Sequence, residues 1–241
     1  MPRTCDGAEA SSLSGCSPSS PAAPPASPPS PPSLPSPPAP NPSPPSPSPP
    51  PLTYAVDFGN AAHKSWYTLH GGAYIGSVDG TEALRVGGGK TAELLININP
   101  SKLTDCTIEV WFKLLSVANN YGWLVSSDNG GYDRGVILHD YRFGGGVAPI
   151  PGRAYNSGLP APTLNQWSHV VVVYRQGGES AAFLNGVKSN TISPTSNNEG
   201  RSTVTIGSRG TGDIYHATDA WVESVTIWSE ALSPPHQESR A

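Results

Sequence analysis

The sequence predicts an all-β protein: an antiparallel jelly-roll β-sandwich preceded by a disordered segment of polyproline II type. Two strand-like runs, residues 167–174 and 180–184, flank a Gly177-Gly178 turn. The first run contains four consecutive valines, which fit a pleated, buried surface better than a helix. Asn185-Gly186 then supplies residues that accept the positive φ of a tight hairpin turn. Strand, turn, strand and turn within about twenty residues indicate an antiparallel sheet.

The N-terminal part has a different composition. Residues 17–51 hold 19 of the 28 prolines and no charged residue. This segment has little apolar surface to bury and few N–H donors, so an extended polyproline II chain is expected. We therefore predict a short segment over 1–16, a Ser/Pro-rich disordered linker over 17–51 and a β-sandwich over 52–241. Cys5 and Cys16 are either the stub of a preceding module or a local disulfide.

Further strand patterns with short connections run through the predicted sandwich. They cover residues 54–58, 73–78, 83–86, 92–98, 106–115, 123–126, 135–139, 141–147 and 220–228. In 106–115, Ile108, Val110 and Phe112 alternate with outward-pointing residues, which predicts one buried face. Residues 149–162 contain four prolines and predict a long irregular loop.

Charge and hydropathy exclude several classes of function. The net charge is −4 and there is no basic run, which argues against a nucleic-acid partner. No apolar stretch is long enough for a membrane-spanning helix, so no membrane insertion is expected. The N-terminus lacks the apolar region of a signal peptide, so either the chain is intracellular or the precursor starts elsewhere. The Ser/Pro-rich composition favours the second interpretation. The sequence contains no feature that sets the oligomeric state.

Three stretches resemble laminin G-like domains of the concanavalin A-like lectin/glucanase fold. They are the hairpin motif from Trp167 to Gly186, the early strand Thr-Ile-Glu-Val-Trp-Phe-Lys at 107–113, and the last strand at 220–228. The resemblance implies structural roles for Trp111, Trp167, His169, Tyr174, Asn185, Gly186 and Glu223. It also places Cys106 where the family usually has a large apolar residue, which implies a buried, inert thiol.

The repeated Ser-Pro-Pro units of the linker resemble hydroxyproline-rich glycoproteins of plant and green-algal cell walls. That resemblance implies hydroxylated, O-glycosylated prolines and an extracellular or cell-wall location. The alternative is an unmodified linker that serves an intracellular scaffold as a ligand for SH3-type domains.

Calcium is the candidate metal. Laminin G-like domains resemble one another in a rim site built from two loops, and calcium prefers oxygen ligands. The corresponding loops offer Asp128, Asn129 and Asp133 on one side, and Asp213 and Asp219 on the other. The alternative is that these residues are solvated turn-formers.

Carbohydrate binding uses aromatic faces beside polar side chains. The aromatic candidates near the acidic loops are Trp123, Tyr132, Tyr141 and Tyr155. The alternative is that these rings pack the base of the loops. The tryptophans within strand patterns, at 111, 167, 221 and 228, are predicted to lie in the core.

No catalytic constellation is recognised, and we predict that the protein is not an enzyme. Hydrolases of the concanavalin A-like fold resemble one another in a Glu-x-Asp-x-x-Glu strand, which is absent here. The nearest substitute is Asp219 with Glu223, with Trp221 between them. His169 is the only histidine in the motif, and a lone strand histidine is typical of a hydrogen-bonded structural residue.

These features together predict a non-catalytic extracellular module that recognises a polysaccharide or a matrix glycoprotein, with calcium as an assisting ion. The alternatives are a structural cell-wall or matrix protein without a tight ligand, and a glycoside hydrolase of the same fold.

Overall fold

A computed structural model describes residues 52–96, 98–116, 122–129, 133–138, 147–149, 159–176, 180–188 and 200–233. All of them belong to one compact unit, Ser48–Ala241. The predicted segments over 1–16 and 17–51, including Cys5 and Cys16, lie outside the described residues.

The described residues form fourteen strands and two short 3-10 helices, Ala61–Trp66 and Pro100–Lys102. The strands, in chain order, are β1 Thr53–Asp57, β2 Tyr67–His70, β3 Tyr74–Val78, β4 Thr81–Val86, β5 Thr91–Leu94, β6 Asp105–Ser116, β7 Gly122–Ser126, β8 Gly135–Leu138, β9 Val147–Pro149, β10 Trp167–Arg175, β11 Ala181–Leu184, β12 Val187–Lys188, β13 Val204–Ile206 and β14 Asp219–Trp228.

The strands form two antiparallel sheets. The larger sheet has the order β12-β11-β10-β6-β14-β4-β3, with β1 also paired to β14. The smaller sheet has the order β2-β5-β13-β7-β8-β9. Several neighbours within each sheet, such as β6 and β14 or β5 and β13, are distant along the chain, as in a jelly roll. The predicted all-β sandwich is confirmed. Among the described residues, no helix is long and apolar enough to cross a membrane.

The predicted pairing of the two hairpin strands is confirmed, and the predicted Gly177-Gly178 turn lies outside the described residues. Strands β10 and β11 pair antiparallel with Val170 opposite Leu184 and Val173 opposite Ala181. The following turn has positive φ at Asn185 (46°) and Gly186 (82°), as the sequence predicts. The valine run is buried on both faces, because alternate members contribute to two different apolar clusters.

The main core lies between the two sheets. Its members alternate along each strand, as in Ile108, Val110 and Phe112 of β6. A smaller cluster covers the outer face of β10 and β11, where Val171, Val173 and Phe183 pack with Ala231.

Strand β14 contains a β-bulge, and on the side away from β6 it pairs with two different strands. The register with β6 shifts between Val222 and Ser224, which leaves Glu223 as the extra residue. Before the bulge, β14 pairs with β4, and after it with β1. The backbone carbonyl of Glu223 accepts a hydrogen bond from the Phe58 N–H at 2.9 Å. Glu223 therefore takes part in the strand pairing through its backbone.

The predicted position of the strand tryptophans is wrong. Trp111, Trp167, Trp221 and Trp228 are half-buried and none belongs to either core cluster. Each occupies the outward parity of its strand, opposite to the core residues next to it. A core position is predicted from the sequence because large aromatic residues in strands are usually buried.

Candidate functional site

Two loops meet beside strand β7 of the smaller sheet. One joins β7 to β8, and the other, residues 207–218, joins β13 to β14. The Trp123 N–H donates to the His216 carbonyl at 2.9 Å, and the Gly207 N–H donates to the Leu124 carbonyl at 2.9 Å. Further along, the Ser126 hydroxyl donates to the Arg209 carbonyl at 2.9 Å. These bonds hold the second loop against β7, and we call the two loops together the rim site.

Asp128 and Asp133 form the buried part of the rim site. They are 2% and 1% exposed. The Asp133 N–H donates to Asp128 Oδ1 at 3.0 Å, and the Asn129 N–H donates to Asp133 Oδ2 at 3.0 Å. Each carboxylate therefore stabilises the backbone of the turn beside the other.

One carboxylate oxygen of this pair is not hydrogen-bonded within the described structure. Asp133 Oδ1 is buried and has no hydrogen-bond partner within the described structure. Burial raises the pKa of the Asp133 carboxyl, and the neighbouring Asp128 adds to this, although the Asn129 and Gly200 backbone N–H groups oppose it. A buried carboxylate oxygen without a partner costs folding free energy, which a bound cation or donor would offset.

Arg209 links this pair to the second loop. Its Nε lies 3.1 Å from Asp213 Oδ2 and 3.9 Å from Asp128 Oδ2. The Arg209 side chain is 41% exposed, so the guanidinium lies at the surface between two less exposed carboxylates.

Asp213 organises the tip of the second loop. Its carboxylate accepts hydrogen bonds from the Tyr215 and His216 N–H groups and contacts His216 Nδ1 at 2.9 Å. Burial alone would raise the pKa of Asp213, but the hydrogen bond and charge of His216, with the two backbone bonds, lower it overall. Asp213 is therefore a fixed anion that holds the loop in one conformation.

The loop presents two large apolar side chains to solvent. Tyr215 is 78% exposed and Ile214 is 60% exposed. Because the backbone of Tyr215 is bonded to the Asp213 carboxylate, the exposed ring stands on a fixed turn. Sequence analysis missed Tyr215, Arg209 and His216. The signal that could have found Tyr215 is the Asp-x-Tyr spacing, since an aspartate often caps the N–H two residues on.

Asp219 does not join the other acidic residues. Its Oδ1 lies 2.5 Å from Arg85 Nη2 and its Oδ2 accepts from the Ser116 hydroxyl at 2.8 Å. These partners belong to the larger sheet. The structure therefore brings Asp128, Asn129, Asp133 and Asp213 to the rim site and places Asp219 in a separate ion pair.

Of the four aromatic candidates for carbohydrate binding, the structure describes only Trp123. Trp123 is 2% exposed, and a Cβ built on Gly135 would lie 2.7 Å from its ring. This ring packs against β8, so the prediction that it offers a face to a ligand is corrected. Tyr132, Tyr141 and Tyr155 lie outside the described residues.

The motif residues occupy the larger sheet. His169 Nε2 lies 2.7 Å from Glu109 Oε1, and its ring stacks on Trp111 with centroids 4.5 Å apart. The Asn185 side chain accepts from the His169 N–H at 2.8 Å. Tyr174 reaches across the core to β8, where its hydroxyl bonds both backbone groups of Gly135. Trp167 stands opposite Lys113.

Asp219 and Glu223, the two carboxylates nearest to a hydrolase pair in the sequence, have different surroundings in the structure. Asp219 is bound to Arg85, and Glu223 lies in the β14 bulge. In the part of the chain that the structure describes, no three His, Cys, Asp or Glu side chains converge as a metal-binding group. A cation at the rim site would therefore need amide or backbone oxygens in addition to Asp128 and Asp133.

Comparison with solved structures finds the same fold elsewhere. Domain 4 of an extracellular arabinanase from Geobacillus stearothermophilus, solved with arabinotriose, superposes with a TM-score of 0.51 at 13% identity. The match covers 74% of this chain and 89% of that one. The binding domain of botulinum neurotoxin serotype D has a TM-score of 0.51 at 13% identity, over 75% of this chain and 48% of that one. No match was found among curated proteins.

A protein-family model covers more than half of the chain. The family is Laminin_G_3, described as the concanavalin A-like lectin/glucanases superfamily, and it matches residues 87–236. This range includes the two loops of the rim site and the hairpin motif. The chain belongs to the Laminin_G_3 family of concanavalin A-like domains.

Proposed function

We propose that the domain is a non-catalytic recognition module that binds carbohydrate, free or on a glycoprotein, at the rim site. The observation that carries this proposal is the exposed Tyr215 ring, held on a fixed turn beside Arg209 and Asp213. A sugar offers C–H groups to an aromatic face and hydroxyls to charged hydrogen-bonding groups. The rim site supplies both kinds of contact. The arabinotriose bound to the structurally similar arabinanase domain supports the same class of ligand.

Pre-organisation strengthens the proposal. Asp213 fixes the Tyr215 backbone, while Asp213 and the buried Asp128 flank the Arg209 guanidinium. A ligand that meets groups already held in place loses less conformational entropy on binding.

Tyr215→Ala and Arg209→Gln test the site. Val187→Ala, on the edge strand β12 of the larger sheet, is the matched exposed control. We expect each rim variant to weaken binding on a glycan array by about tenfold, the equivalent of about 1.4 kcal/mol. Val187→Ala should bind as the wild type. A wild-type protein that binds no glycan would instead support the structural cell-wall alternative.

Calcium is proposed as an assisting ion at the same site. Among the described residues, Asp133 Oδ1 is a buried acceptor with no hydrogen-bond partner. Asp128, Asp133 and Asn129 provide oxygens of the type that calcium prefers. A bound calcium ion would neutralise the buried carboxylates and coordinate ligand hydroxyls. Asp133 and Asp128 would hold it, and Arg209 would keep its pairing with Asp213.

Thermal unfolding with calcium and with EDTA tests the ion. Calcium that binds only the folded state stabilises it by about 2.7 kcal/mol at a hundredfold excess over Kd. We expect a rise in Tm that Asp133→Asn abolishes and Asp219→Asn retains, because Asp219 lies in the separate Arg85 pair. An equal Tm with calcium and EDTA would remove the metal and leave the glycan proposal standing.

An extracellular or cell-wall location is proposed with the linker as a stalk. The Ser-Pro-Pro repeats of residues 17–51 support it. Hydroxyproline and arabinose in hydrolysates of the native protein would agree with this location. Unmodified proline throughout the segment would favour the intracellular scaffold.

A further inference from the structure

The outer face of the larger sheet carries a line of alternating aromatic and cationic residues. Trp167 stands opposite Lys113, Lys113 opposite Trp221, Trp221 opposite Arg85, and Arg85 opposite Tyr74. These five residues come from β10, β6, β14, β4 and β3, and we call them the aromatic row. At about 4.8 Å per strand, the row is about 19 Å long, with an aromatic residue on every second strand.

The sheet beneath Trp221 is built to receive its ring. A Cβ built on Gly76 of β3 would lie 3.2 Å from Trp221 Cη2 and 3.1 Å from Tyr74 Cε2. Gly76 has no positive φ, so backbone conformation does not require glycine there. Ala83, on the β4 position opposite Gly76, is completely buried. Small side chains under the ring thus let Trp221 extend across β4 as far as β3.

Neighbouring side chains fix the position of the two rings. Tyr74 meets Trp221 edge to face, with centroids 5.7 Å apart at 87°. The Arg85 guanidinium carbon lies 5.8 Å from the centre of the Trp221 ring. Tyr74 is nevertheless 47% exposed, and Trp221 and Trp167 are half-buried. The row is therefore an ordered surface that remains open to solvent.

The row has no uncompensated charge. Lys113 Nζ lies 2.5 Å from Asp79 Oδ2, and Arg85 Nη2 lies 2.5 Å from Asp219 Oδ1. Lys113 is only 9% exposed although it faces outward, so its chain is covered by the side chains around it. A surface with rings and balanced ion pairs suits a neutral ligand with hydroxyls better than an anionic polymer, which needs free cations.

We propose that the aromatic row is a second carbohydrate-binding surface that takes a neutral, extended polysaccharide laid across the strands. Sugar rings stack on Trp221 and Tyr74 and, two strands away, on Trp167. The hydroxyls bond to the charged groups between the rings. The surface is separate from the rim site, because its residues belong to the larger sheet and Tyr215 and Arg209 contribute nothing to it.

Affinity electrophoresis of the full chain tests the proposal, in gels containing neutral mixed-linkage glucan, neutral arabinoxylan or polygalacturonate. We expect at least one neutral polysaccharide to retard the wild type, and polygalacturonate to have no effect. Trp221→Ala should weaken retardation about tenfold. Gly76→Ala keeps every ring but pushes Tyr74 and Trp221 from their positions, and should weaken it as well.

The controls separate this surface from the rim site. Val187→Ala, which belongs to neither proposed site, should be retarded like the wild type in the same gels. Trp221→Ala should weaken retardation as much in a Tyr215→Ala background as it does in the wild type. Retention of full affinity by folded Gly76→Ala and Trp167→Ala would overturn the proposal, even if Trp221→Ala failed to fold. Loss of retardation in Tyr215→Ala alone would assign all binding to the rim site. No retardation of the wild type by either neutral polysaccharide would also overturn the second surface.

Discussion

Burial makes the thiol of Cys106 unreactive. It is fully buried at the start of β6, and burial raises the pKa of its thiol to about 11, against the opposing influence of Arg134. The reactive thiolate is therefore scarce at neutral pH. We expect iodoacetamide at pH 8 to leave Cys106 unmodified in the native protein and to modify it in denaturant, as read by peptide mapping. Rapid native labelling would contradict the burial described here.

The contribution of Asp213 to folding stability depends on pH. Its pKa is lower in the folded state than the ordinary 3.8, so the unfolded state binds more protons in acid. The stability it contributes is present above the ordinary value and is lost as the pH falls through the folded pKa. Asp213→Asn should lower the free energy of unfolding by about 1 kcal/mol at pH 7, with a smaller difference from wild type below about pH 4.

Urea unfolding at several pH values measures this effect. Glu82→Gln, an exposed change on β4, is the matched control and should follow the wild type at each pH. A difference between Asp213→Asn and wild type that stayed constant from pH 7 into acid would exclude the electrostatic explanation.

At the scale of elements, one hydroxyl joins the two sheets. Tyr174 of β10 accepts from the Gly135 N–H at 3.0 Å and donates to the Gly135 carbonyl at 2.5 Å, on β8. Tyr174→Phe leaves both buried backbone groups without this partner, and we expect a loss of about 1–3 kcal/mol in unfolding free energy. Tyr74→Phe, at an exposed position, should cost little. Equal Tm values for the two variants would show that the Gly135 contacts contribute nothing.

Elements were predictable where the sequence repeats a pattern over several residues. The alternation in β6 and the Asn185-Gly186 turn each determine a local structure, and both were confirmed. Strand β13, Val204–Ile206, was missed because three buried residues are too short to show a period. The strand alternation places the tryptophans on the outward face, but the general preference of large aromatic side chains for the interior predicts the wrong face.

At the scale of the whole molecule, the rim site could be predicted only in part. Turn composition identified Asp128, Asp133 and Asp213, because aspartates beside glycines mark loops. Arg209 was invisible, since its contact with Asp128 depends on how the β13–β14 loop lies against β7. Asp219 was misassigned for the same reason: its partner Arg85 is distant in sequence.

The pairing of β1 with β14 has a mechanical consequence. Thr53 lies opposite Trp228, and the backbones of Leu52 and Ser229 are bonded at the same end of the ladder. Tension applied between residues 52 and 229 would therefore open the ladder one pair at a time, as a zipper opens, instead of shearing all its bonds together. Strand β1 would peel away at low force while β14 kept its pairing with β6. The domain could thus lengthen under load by releasing β1, with Val56 leaving the main core while β14 and β6 stay paired.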